Sequence, residues 1–403
     1  MTPYFFKQMR KRTGLCLVVV LTALAFSLAL CMLQRSRDQM AARIEEVYDN
    51  LEVRCSVTNL TGTQSDRLNL PEWVLRLFTT GMTTGNFQED GLFTPYVRDV
   101  QVRSTVYCTQ PGGTVPHALS GITGLAADSA LQPDSGCTIL WREGFDASMF
   151  QGRGYSLLLP EELAAWEDED GYVTLEFSPS SGETEQHRFL VVGTYAGGAG
   201  RLYCPWWVAR QLCLDVYGAI TMDSLSAAMA DNRRIDQFWD EYGSRYFVEP
   251  TRDGTPVPWE GSLMYRTYPF ALAICDDTLV KTVDQLHQNQ KLLGLVSWLL
   301  GLSAFGVGAV FSILLLRHRS RELKLQYILG QDRGGILLWA LVEHGLLSLL
   351  GAAIGAGGFC VAFRTAPAWG PVAVFWGMNL AGTALAYLLT MRRTFLETNL
   401  GRE

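Results

Sequence analysis

The chain contains no Gly-Lys dipeptide and therefore cannot build a phosphate-binding P-loop. Cys-x-x-Cys, His-Glu-x-x-His and Gly-x-Ser-x-Gly are also missing. These absences remove the residues needed for P-loop ATP hydrolysis, dithiol exchange, zincin chemistry and the serine nucleophile elbow. Histidine is scarce, five in 403 residues, and only His117 and His187 lie well inside the hydrophilic middle of the chain. No catalytic residue, metal ligand or cofactor site is assigned. Basic charge is also thin there. Residues 34–290 carry 19 Lys and Arg against 35 Asp and Glu, a net charge of −16, while the rest of the chain carries +9 and the whole −7. So acidic a middle argues against nucleic-acid binding and leaves cationic ligands open.

Long apolar runs are what the sequence has in abundance. With 48% hydrophobic and 18% charged residues it is too apolar for a typical soluble protein and too charged to be all membrane. Four runs reach the roughly 20 residues a helix needs to cross the hydrocarbon: 14–33, 292–316, 336–363 and 368–391. The first exceeds the usual h-region of about 7–15 residues and ends without a small-x-small cleavage site, so it reads as an uncleaved anchor. Lys and Arg cluster in the N-terminal segment 1–13, in the loop 317–335 and in the tail 392–403, whereas the turn 364–367 has only Arg364. By the positive-inside rule both termini and the 317–335 loop face the cytoplasm, and 34–291 lies outside a bacterial cell membrane.

The external segment reads as a folded α+β domain. Val100–Cys108 and Tyr172–Phe177 alternate as half-buried strands do, and Phe189–Val192 is a short strand ending at Gly193. Helices are expected over Pro71–Phe78, Pro160–Trp166, Pro205–Leu214 and Met222–Tyr242, the last capped by Asp223. Gly197-Gly198-Ala199-Gly200 is a turn. At the membrane junctions Met40, Ile44, Val47 and Leu51, and Leu279, Val283 and Leu286, recur at helical spacing. They predict stalk helices over about 36–52 and 277–291 that continue the spans outward. Six of the nine cysteines fall in this domain, where fifteen pairings are conceivable. Cys204 and Cys213, the closest pair, form the candidate disulfide; unpaired buried thiols are the alternative.

Within the spans Ala304, Gly308 and Ser312, and Gly351 and Gly355, repeat every four residues. Such small faces allow close helix contact, within one subunit or across a dimer. Glu343 sits about two turns into the third run, where a carboxylate must face protein or water. In the 317–335 loop Leu323, Leu325, Ile328 and Leu329 recur near helical spacing until Gly330, with Arg319, Arg321, Glu322 and Lys324 between and before them. This pattern predicts a short amphipathic helix along the membrane, with Asp332 or Gly335 capping the next helix. Such a helix suits either docking into a partner's groove or a lipid-bound basic loop.

The stretch Ser320-Arg321-Glu322-Leu323-Lys324-Leu325-Gln326-Tyr327-Ile328-Leu329-Gly330 resembles the Thr-Arg-Glu-Ile-Gly-x-x-Arg-Ala-x-Gly loop of FtsX-like, MacB-type ABC transporter permeases. Glu343-His344-Gly345-Leu346-Leu347-Ser348 is similar to the start of that family's third span. The order of spans and the placement of the external domain resemble it too. The resemblance implies a non-catalytic permease subunit, two of which form a homo- or heterodimer. It also implies a separate cytoplasmic ABC ATPase that binds ATP and magnesium and grips a coupling helix containing Arg321, Glu322, Leu323 and Gly330. Lys324, Gln326-Tyr327 and Gln331 depart from the family pattern. The competing class is a ligand-sensing or scaffold membrane protein that works without an ATPase.

Overall fold

The computed structural model describes residues 13–80, 90–179, 182, 184–250, 270–328 and 331–400. The side chains at 15, 133, 319–328, 333 and 391–400 lie outside the described set. Helix α1 (Thr13–Asn50) leads into β1 (Arg54–Asn59), β2 (Leu70–Pro71), α2 (Glu72–Phe78), β3 (Val97–Cys108), β4 (His117–Ile122), β5 (Thr138–Trp141) and β6 (Ser156–Pro160). Then come β7 (Tyr172–Phe177), β8 (Glu185–Ala196), β9 (Leu202–Pro205), α3 (Trp206–Tyr217), β10 (Thr221–Met222), β11 (Ser224–Met229) and β12 (Phe270–Ile274). Three long helices close the chain: α4 (Asp277–Ile328), α5 (Arg333–Phe363) and α6 (Trp369–Leu400). These elements form two units, one of Tyr48–Val280 and one of Met1–Val47 with Lys281–Glu403.

The hydrophilic unit is built on a ten-stranded mixed sheet in the order β12-β1-β11-β3-β4-β9-β6-β8-β5, with β7 also paired to β8. The β3–β4 hairpin is antiparallel, with Ser104 opposite Gly121, whereas β4–β9 and β6–β8 run parallel. Strand β6 reads Ser-Leu-Leu-Leu-Pro because both of its faces are covered. Leu157 and Leu159 point into a core with Val106, Leu175, Val191 and α3. Leu158 points the other way, to Tyr195, Tyr203 and Phe150. Helix α3 lies so close to β4 that a Cβ on Gly121 would sit 2.0 Å from the Ala209 methyl. Gly218 ends α3 in the left-handed region, φ 70°, and its N–H caps the Leu214 carbonyl.

One carboxylate ties the strands to their loops. Asp128 is buried, and its Oδ2 accepts from Arg103 Nη1 at 2.9 Å, Arg201 Nη1 at 3.2 Å and the Tyr203 hydroxyl at 3.2 Å. Its Oδ1 accepts from the Ala130 N–H at 3.1 Å, starting a short 3-10 turn. Arg103, itself buried, also pairs with Asp66. At the unit's margin Asn232 Nδ2 donates to the Tyr48 and Leu51 carbonyls at the C-terminal end of α1, and Arg233 pairs with Asp49.

Several elements depart from the sequence expectation. The segment expected to be one helix over Met222–Tyr242 begins at the end of β10 and continues as strand β11, because Leu225 and Ala227 alternate with Ser224 and Ser226 between β1 and β3. Helical turns begin only after Asp231, whose side chain accepts from the Arg233 N–H at 3.0 Å. Asp223 instead accepts from the Thr105 hydroxyl. Strand β8 does not stop at Gly193; the glycine is needed there because a Cβ would meet the Leu140 carbonyl at 2.7 Å. Pro160–Trp166 forms only a 3-10 helix, over Glu161–Trp166.

In the other unit four helices are long and apolar enough to cross a membrane. They pack on small faces and expose large apolar side chains outward, Trp298 at 66%, Leu338 at 63% and Val361 at 82%. So much exposed apolar surface is untenable in water and is the ordinary outer face of a bundle solvated by lipid. Helices α1 and α5 run side by side. A Cβ on Gly351 would strike the Val20 carbonyl at 2.3 Å and one on Gly355 the Leu24 carbonyl at 2.6 Å, while Ser27 Oγ donates to the Ala352 carbonyl.

Asp128→Ala would leave the buried charge of Arg103 short of a partner, a loss of about 3–5 kcal/mol. Thermal unfolding of the solubilised chain should show it, with Arg201→Ala costing less because that side chain is partly exposed.

Candidate functional site

The segment expected to dock a partner is the end of an unbroken helix. α4 starts at Asp277, just after β12, and continues to Ile328. It spans 52 residues, about 78 Å at a rise of roughly 1.5 Å per residue. No separate helix begins at Arg321, which lies within α4, and α5 begins at Arg333. The physical reason is composition, since Arg317–Ile328 contains neither Gly nor Pro to stop a helix leaving the apolar run. The side chains of Arg319, Arg321, Glu322, Leu323, Lys324, Leu325 and Ile328, and all of Leu329 and Gly330, lie outside the described residues. The N-terminus of α5 is capped by Asp332, whose carboxylate accepts from the Gly334 N–H at 3.1 Å.

Helix α4 is held by α6 through the Ala304-Gly308-Ser312 face, so these small residues serve contacts within the chain. A Cβ on Gly308 would lie 2.4 Å from the Asn379 carbonyl, and one on Gly382 would lie 2.1 Å from the Phe305 carbonyl. Gly351 and Gly355 are used in the same way against α1. Asn379, on α6, joins three helices: its Nδ2 donates to the Ala304 carbonyl at 3.3 Å, and its Oδ1 lies 2.9 Å from His344 Nε2. An amide oxygen accepts only, so Nε2 carries the hydrogen and a neutral His344 holds a bare Nδ1. That Nδ1 is buried with no hydrogen-bond partner. Thr383 and Ser312 add hydroxyl bonds to the Gly308 carbonyl at 3.4 and 2.7 Å. Glu343, the carboxylate singled out in the sequence, is half-buried beside this layer. Sequence reasoning passed over His344 and Asn379 as a pair. The visible signal was a lone Asn inside an otherwise apolar run.

All nine cysteines are free thiols, and the expected Cys204–Cys213 bridge is not formed. Cys204 lies in β9 and Cys213 two turns into α3; both are buried in the apolar core, where a thiol packs as a small hydrophobe. Burial pushes Cys55, Cys108 and Cys213 up to about 12 and holds Cys204 well above the ordinary thiol range. Cys275 is exposed. Among the described residues no group of three His, Cys, Asp or Glu could hold a metal ion. His117 packs edge-on against Trp166 at 4.7 Å, and His187 stacks on Tyr155 at 5.3 Å. They lie in separate aromatic contacts, with no shared site between them.

Among solved structures the chain is similar to the periplasmic region of MacB from Actinobacillus actinomycetemcomitans. Identity is 14% and the TM-score 0.31, over 57% of this chain and 92% of that one. It is also similar to the extracellular domain of the noncanonic ABC-type transporter YknZ from Gram-positive bacteria, at 10% identity and TM-score 0.28, over 55% of this chain and 99% of that one. No protein-family model and no curated protein matches the sequence.

Alkylation of the folded chain near pH 8 should modify Cys275 rapidly and leave Cys55, Cys108, Cys204 and Cys213 untouched, because the thiolate is the nucleophile. Peptide mapping after unfolding should then recover Cys204 and Cys213 unbridged. Gly382→Leu should force α4 and α6 apart at a cost of about 3 kcal/mol. Gly377→Leu, with nothing within 4 Å of its Cβ position, should stay within about 0.5 kcal/mol of the parent. Thermal unfolding in detergent reads both.

Proposed function

We propose that this chain is the membrane-embedded permease subunit of an ABC-type system in the FtsX and MacB manner. A separate cytoplasmic ATPase, which supplies the ATP and magnesium, bears on the 317–335 segment. Two permease chains work together, and motion driven by nucleotide reaches the acidic hydrophilic domain. There it extracts or exports a substrate or switches an external protein.

The observation that carries this reading is the continuity of α4. One helix begins directly after β12, passes through the apolar run and ends in the basic segment similar to the family's coupling loop. A helix of this length is stiff along its axis, because every turn is closed by its own hydrogen bonds, and a push at one end is felt at the other. The small-residue contact with α6 supports the same role. Ala304, Gly308 and Ser312 key the lever to Asn379 and Gly382, so α4 moves with the bundle.

Expression with a candidate ABC ATPase tests the reading. The full chain should co-purify with the ATPase and raise its ATP turnover. Leu323→Asp with Leu325→Asp should abolish both effects while leaving the chain in the membrane, since a buried charge in an apolar docking groove costs several kcal/mol. Unchanged assembly and turnover would contradict a docking role for the segment.

A further inference from the structure

Beside the middle of α1 and the C-terminal end of α5, the membrane unit holds a cavity of about 690 Å³. α1 contributes Cys31, Gln34, Arg35 and Asp38; Phe359 and the turn from Thr365 to Pro371 form the opposite wall. Arg35 is held in place, its guanidinium 4.5 Å above the Phe363 ring. Its Nη1 is shielded from solvent and has no hydrogen-bond partner. A buried guanidinium N–H without an acceptor is costly, and Arg is the side chain suited to phosphate oxygens. Asp38 follows at i+3 on the same face of the helix. One oxygen accepts from Gln34 Nε2 at 2.9 Å, and the side chain is otherwise exposed. Cation and carboxylate therefore stand side by side without pairing. Beyond the cavity the helices present Met32 and Val361, exposed at 45% and 82%, as surface for hydrocarbon.

We propose that this cavity binds the headgroup of a membrane lipid bearing a phosphate and a primary ammonium. The phosphate oxygens would accept from the Arg35 guanidinium, which lines the cavity. The ammonium, with three donors, would reach the free oxygen of Asp38. The acyl chains would lie against Met32 and Val361. A headgroup of the two opposite charges matches the cavity better than a purely anionic one, which would set its second polar end against Asp38. A trimethylated ammonium has no N–H to give. The site is independent of any ATPase.

The test uses the full chain in nanodiscs of equal phosphatidylcholine and phosphatidylethanolamine, with native mass spectrometry reading the lipid that stays bound. Phosphatidylethanolamine should be retained over phosphatidylcholine, and Asp38→Asn should lower that preference about tenfold, the worth of one charge-assisted hydrogen bond, whereas Arg35→Gln, which removes the phosphate contact, should lower retention of both lipids about tenfold. Arg37→Gln, which removes the same charge from outside the cavity wall, should leave both retention and preference intact and exclude a general charge effect. In discs of equal phosphatidylglycerol and phosphatidylethanolamine, Asp38→Asn should improve retention of the anionic lipid while weakening that of phosphatidylethanolamine. Equal retention of all lipids, or insensitivity to Arg35→Gln, overturns the site. Displacement of the lipid by millimolar inorganic phosphate would reassign it to a soluble anion and overturn the lipid.

Discussion

A peptide group left without a hydrogen bond in hydrocarbon costs several kcal/mol, so a single apolar run crossing it must satisfy its own peptide groups, as a helix does. That constraint governs the membrane unit, whose long helices run unbroken through their apolar stretches. With the backbone satisfied internally, only close packing and a few side-chain hydrogen bonds remain to hold one helix to another. The glycines decide where this happens. Gly308 and Gly382 let α4 meet α6 at backbone distance, and Gly351 and Gly355 do the same for α5 and α1. Asn379 places one polar tie at the centre, between the Ala304 carbonyl and His344. The layer joins α4, α5 and α6.

The hydrophilic unit solves a different problem. Its sheet mixes parallel and antiparallel pairs, so its connecting loops must be fixed by something besides hairpin turns. Asp128 does this with four donors on two oxygens, binding β3, β9 and the turn after β4 through Arg103, Tyr203 and Ala130. Asn232 performs a comparable task on the carbonyls that α1 leaves unsatisfied at its end. The end of α1 is thus seated in the same unit as the sheet, and α4 leaves that sheet's edge strand.

Features set by local periodicity were legible in the sequence. Tyr172–Phe177 alternates and is strand β7 with every second residue buried; Pro71 and Pro205 each precede a helix. The four apolar runs and the glycine turn after β8 were readable for the same reason. What tertiary pairing decides was not. Ser224–Met229 is short and small enough for either helix or strand, and its place between β1 and β3 makes it a strand. In the sequence Arg317–Ile328 reads as part of a loop with its own short amphipathic helix, because charge marks the membrane edge, yet charge does not end a helix and no glycine intervenes. The unbridged state of Cys204 and Cys213 depends on which way strand and helix turn their side chains, and sequence spacing does not encode that. The partnership of His344 with Asn379 likewise needed the crossing of two helices 35 residues apart in sequence.

The proposed role stands on the far end of α4 lying inside the cell, within reach of a nucleotide-driven partner. Lys324→Cys in intact cells, treated with a membrane-impermeant maleimide and mapped peptide by peptide, measures this directly, with the exposed native Cys275 as the reference on the other side. The account predicts that Cys275 is labelled in intact cells and position 324 only after the membrane is opened. Labelling of position 324 in intact cells would contradict it.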